Sequence, residues 1–93
     1  MESKDLIHGQ YYNLWYGKQN EWIIQFDKIQ DKYLYITGIR LNTEHLNINY
    51  NWGNILNIGS VRLARYEEIV WLQACLLARK FIPKEGIPVY EIF

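Results

Sequence analysis

The chain is short of the residues that most chemistry needs. Its single cysteine, Cys75, excludes an internal disulfide; set among Trp71, Ala74 and Leu76, it reads as a buried inert thiol rather than a nucleophile. The two histidines, His8 and His45, stand far apart with no acidic or cysteine residue at ligand spacing, whereas a metal centre takes three or four such groups. The glycines form neither a GxGxxG nor a GK[ST] loop, so no phosphate cradle is encoded. Glu67 and Glu68 are adjacent, which on a helix turns them about 100° apart, so they do not frame one substrate. These gaps argue against an enzyme, a metal site and a cofactor.

Excess charge is missing too. Ten basic and ten acidic residues cancel, so no global field draws the chain onto nucleic acid or anionic lipid. The longest apolar runs, residues 69–72 and 74–78, fall far short of the roughly 20 residues of a membrane span. The opening MESKDLIHGQ mixes both charge signs and has no apolar h-region, so no signal peptide is expected and the location reads as cytoplasmic.

What is present is ample for folding. Hydrophobic residues make up 49% and aromatic residues 16% of 93 positions, the size of one domain. Residues 21–27 alternate, with Trp22, Ile24 and Phe26 on one face and Ile23 and Gln25 on the other. Tyr33, Tyr35, Thr37 and Ile39 alternate likewise against Leu34, Ile36, Gly38 and Arg40. With the aromatic run before them and turn residues at 17–20 and 30–32, these predict an antiparallel meander over about residues 10–17, 21–29 and 32–41. Residues 42–57 carry six asparagines and predict a long loop containing an edge strand in which Leu46, Ile48 and Tyr50 alternate with Asn. A further strand is expected over about 57–64, with a bulge near Gly59 and Ser60, and a last one over 87–92. The fold class is α+β: an antiparallel meander or small open barrel of four to six strands, with one C-terminal helix packed on it.

That helix, over about residues 66–80, is apolar on two sides. Glu67 and Glu68 in its first turn and Arg79 and Lys80 in its last suit the helix dipole, and Pro83 is expected to stop it. No Ser, Thr, Asp or Asn caps it, since Tyr66 precedes Glu67. Ile69, Leu72 and Leu76 form one stripe, to be laid on the sheet. Val70, Ala74, Leu77 and Ala78 form a second, with Trp71 and Cys75 at its flank. Either Phe81, the tail or the Asn-rich loop covers the second stripe, or it marks an interface with a partner or a second copy of the chain. The partner-binding candidates are Val70, Trp71 and Leu77, with Tyr50 and Trp52 from the Asn-rich loop. An alternative is RNA binding, with Arg62, Arg65, Arg79 and Lys80 on phosphates and Tyr11 and Trp15 stacking on bases.

Residues 61–85 also carry a pattern. After a strand come Glu67, Glu68, Ile69, Trp71, Leu72, Ala74 and Cys75, as EEIxWLxAC, and then Lys80 to Glu85, as KFIPKE. This resembles a recurrent C-terminal module of small phage and prophage proteins, with looser likeness upstream in WIIQFDKI, YLYI and NWGNI. Val70 and Leu77 depart from that group, whose members tend to be polar there. The resemblance implies a phage accessory protein in the host cytoplasm. It is similar to anti-CRISPR inhibitors, including those directed at RNA-guided, RNA-targeting nucleases of the type VI class. The implied partner is a host defence effector.

Overall fold

The computed structural model describes residues 5–17, 19–52 and 58–86, with Trp52 described by its backbone alone; the tail expected to form a strand lies outside these residues. The alternating segments form β1 (Tyr11–Tyr16), β2 (Asn20–Gln30), β3 (Tyr33–Arg40), β4 (His45–Trp52) and β5 (Ile58–Leu63), followed by one helix, α1 (Tyr66–Ala78). The strands make one antiparallel open sheet in the order β4-β3-β2-β1-β5. The meander runs from β1 to β4, and β5 returns along the free edge of β1. The fold is α+β, as the periodicities indicate.

Turn chemistry explains the tight β2–β3 hairpin. Asp31 and Lys32 both hold left-handed backbone angles, φ 52° and 68°, the pattern of a two-residue turn whose twist matches its strands. Register then assigns the faces. Ile24 lies opposite Tyr12 and Gly38, Trp22 opposite Leu14, and Phe26 opposite Ile36, so one sheet face carries an aromatic and aliphatic cluster with Leu34 and Val61. Ile23 and Ile39 face the other way and pack with Leu72 and Cys75 of α1. The face turned away from the helix thus holds the larger core.

Irregularities tune this pattern. Between β1 and β5 the pairing passes from Trp15–Ser60 to Tyr16–Ile58, leaving a bulge at Gly59. Between β3 and β4 it shifts between Ile36 and Gly38, where Asn49 takes φ 52° and its N–H donates to Thr37 Oγ1 at 3.1 Å. A bulge moves every later side chain to the opposite face. Leu46 therefore packs on the helix side opposite Ile39, while Tyr50, opposite Ile36, stacks on Trp22 at 5.6 Å on the far side. The simple Leu46–Ile48–Tyr50 alternation does not place these residues on one face.

The helix also ends differently from the sequence expectation. It stops at Ala78, where Arg79 takes the left-handed cap with φ 57° and the Lys80 N–H reaches back to the Cys75 carbonyl at 3.2 Å. Pro83 lies beyond this stop and does not cause it. Arg79 and Lys80 consequently follow the last turn instead of forming it.

Gly38 is the position where the sheet tolerates no side chain. A Cβ there would sit 2.6 Å from the Ile23 carbonyl oxygen and 2.7 Å from Ile24 Cγ2. Gly38→Ala is expected to cost about 1–3 kcal/mol in urea unfolding, the range for overpacking a filled interior.

Candidate functional site

The joint between helix and sheet is built on Glu68, at the third position of α1. Its Oε1 accepts hydrogen bonds from the Arg65 N–H at 2.7 Å and from Arg62 Nη1 at 2.8 Å. Its Oε2 accepts from Arg62 Nη2 at 3.0 Å and from Asn13 Nδ2 at 2.9 Å. Asn13 is fully buried on β1, beside Arg62 of β5, and the same Nδ2 donates to Glu21 Oε2 at 2.6 Å. Turning the Asn13 amide over would set its oxygen against two carboxylates, so the orientation is fixed by its neighbours. Its Oδ1 is buried without a hydrogen-bond partner among the described residues.

The cap position falls on Arg65, which has no side chain able to accept from the helix N–H groups. Glu68 compensates by reaching back to the Arg65 N–H, the reciprocal half of a capping box. Burial alone would push the Glu68 carboxyl up. The bonds from Arg62, the Arg65 N–H and Asn13 outweigh it and hold the group below its ordinary 4.5. The bond to Glu68 in turn raises the pKa of Arg62. Beside this network lies a cleft of about 180 Å³ whose charged lining includes Glu21, Glu67, Arg65 and Lys84. Its mixed charges select no ligand of one sign.

At the other end of the helix, the chain is clamped back onto α1. The Ile82 carbonyl accepts from Trp71 Nε1 at 2.6 Å, and the Ile82 N–H donates to Cys75 Sγ at 3.3 Å. Phe81 packs on Trp71 with ring centroids 5.9 Å apart. Burial pushes the Cys75 thiol up, against the pull of the Ile82 N–H. Both features belong to a packed interior.

The structure separates the partner-binding candidates. Leu77 is 87% exposed, and Tyr66, one turn before Val70, is 56% exposed. At 100° per residue Tyr66, Val70, Ala74 and Leu77 share the outer side of α1, opposite buried Leu72 and Cys75. Val70 and Ala74 are half-buried. Trp71 is half-buried, donates its N–H to the Ile82 carbonyl and lines the cleft beside the Glu68 network, away from Leu77. The buried face is centred on Leu72 and Cys75 rather than on Ile69, Leu72 and Leu76. Tyr50 lies across the sheet from α1, and Trp52 pairs through its backbone with Leu34.

The RNA-binding candidates are divided, with Arg62 and Arg65 at the start of α1 and Arg79 and Lys80 beyond its end. Arg62 is engaged by Glu68, and Tyr11 is half-buried with its hydroxyl accepting from Gln73 Nε2 at 3.4 Å. Trp15 is half-buried on β1. Arg65 and Arg79 are exposed but stand at opposite ends of α1, about 20 Å apart along its axis at 1.5 Å per residue. Of the groups at this joint, Asn13 and Glu21 carry no sequence motif. Their only trace is a polar residue at an inward-facing strand position, visible once β1 and β2 are paired.

The class is an α+β domain in which a five-stranded antiparallel open sheet carries one helix. Comparison with protein-family models, with curated proteins and with solved structures finds no match. Among the described residues, no group of three or more His, Cys, Asp or Glu side chains is placed to hold a metal ion, and no helix is long and apolar enough to cross a membrane.

The Glu68 joint has a pH signature. Its folded-state pKa lies below the unfolded value, so its stabilisation is complete above about pH 4.5 and is lost as pH falls through the folded value. Glu68→Gln is expected to lower stability at neutral pH by about 1–3 kcal/mol. Urea unfolding from pH 7 to 2 should also show a shallower acid decline for the variant than for the parent chain.

Proposed function

We propose that the chain is a non-enzymatic binding protein that inhibits a host defence effector, an RNA-guided nuclease or its guide-RNA complex. It occupies a surface of that target with the outer side of α1. The observation that carries this reading is the apolar outer side itself, with Leu77 at 87% and Tyr66 at 56% exposure on a helix whose inner side is fixed to the sheet. Covering a leucine of this kind contributes about 1.5–3 kcal/mol. A surface leucine at the outward centre of a helix gives the monomer little, because its side chain remains in water. Residues 61–85, which resemble the phage accessory module, include this helix and supply the direction of the reading.

The direct experiment is target-RNA cleavage by a purified type VI effector with its guide, titrated with the chain. Cleavage should fall as the chain is added. Leu77→Asp and Tyr66→Asp should keep the parent circular dichroism and weaken inhibition by about tenfold or more, a loss of at least about 1.4 kcal/mol in binding. Undiminished cleavage at large excess of the parent chain contradicts the proposal.

A further inference from the structure

We infer that the C-terminal end of α1 is a docking surface for an acidic, leucine-bearing segment of a partner protein. The inference rests on the outer side of α1 being a contact surface, but not on which effector supplies the partner. A shallow concavity of about 360 Å³ is lined by Gln73, Leu76 and Leu77. Among the described residues Leu77 is the most exposed of the large hydrophobic side chains, and Leu76 beside it is half-buried, packed on the core that holds α1 to the sheet. One side of the concavity is thus packed on the core, while the other offers aliphatic surface to water.

Two basic residues lie just beyond its leucines in the chain. Arg79 and Lys80 lie two and three residues after Leu77 and are exposed, and among the described residues neither side chain has an ion-pair or hydrogen-bond partner. The acidic side chains of α1, Glu67 and Glu68, sit in its first turn, and Glu68 is occupied by Arg62. The helix is therefore polarised lengthwise, with two basic residues that are unpaired among the described residues following an exposed leucine. An aliphatic side chain seats on Leu76 and Leu77, while carboxylates flanking it meet Arg79 and Lys80. RNA matches this surface less well, because bases stack on rings and the concavity is lined by two leucines and a glutamine. The aromatic residue on the same side, Tyr66, is about 16 Å away along the helix axis.

The test uses a fluorescein-labelled synthetic peptide with leucine and glutamate at helical spacing, read by anisotropy at low salt. Its controls are a peptide with serine for leucine, one with lysine for glutamate, and oligouridine. The acidic leucine peptide should bind in preference to all three. Leu77→Ser should weaken it by about tenfold, and so should the double variant Arg79→Glu, Lys80→Glu. The lysine peptide should bind that double variant better than it binds the parent chain. Three results overturn the inference: oligouridine binding at the expense of the acidic peptide, binding that ignores these substitutions, or a dimer of the chain in light scattering that Leu77→Ser dissolves. Because no effector is present, these outcomes are independent of the cleavage assay.

Discussion

One carboxylate anchors the first turn of the helix to the sheet. Glu68 accepts from a guanidinium on β5, an amide on β1 and the backbone N–H that opens its own helix. The distant strand β1, the adjoining strand β5 and the start of the helix are thereby tied to one group that is largely withdrawn from water. Removing any donor leaves a carboxylate short of partners, and an unmet buried charge costs more than a met one contributes. The helix is thereby held at one rotation about its own axis. That rotation decides that Leu72 and Cys75 face Ile23 and Ile39, and that Tyr66 and Leu77 face outward.

The far end of the helix is held by different means. Trp71 and Cys75 both engage the backbone of Ile82, and the left-handed Arg79 turns the chain so that Phe81 returns onto Trp71. A polar anchor at one end and a folded-back strap at the other leave Tyr66 and Leu77, on the outer side of α1, exposed, with Val70 and Ala74 between them half-buried. This physical asymmetry is the basis of the binding role proposed above.

Much of the fold was legible because strand period is a strong signal. The alternation of Trp22, Ile24 and Phe26 against Ile23 is the actual division of the sheet into two faces, and the face change at Gly59 is a true bulge. The bulge at Asn49 was not legible, because asparagines flank every apolar residue there and none stands out as the left-handed one. The two stripes of α1 could be separated by angle, but their assignment turned on Trp71. An indole on the border between them gives no sign in the sequence that its N–H goes to the Ile82 carbonyl. The joint itself was read only as dipole complementation, since Asn13 and Glu21 acquire meaning through strand pairing that brings them beside Glu68.

The central claim is that the Glu68 network fixes α1 on the sheet independently of the sheet's own core. Amide hydrogen exchange in the Arg62→Met variant measures this most directly, because it removes both charged donors to Glu68 and keeps an aliphatic stem on β5. The account predicts faster exchange across Tyr66–Ala78, with protection in β2 and β3 retained. Unchanged helix protection, or an equal loss across helix and sheet, would contradict it.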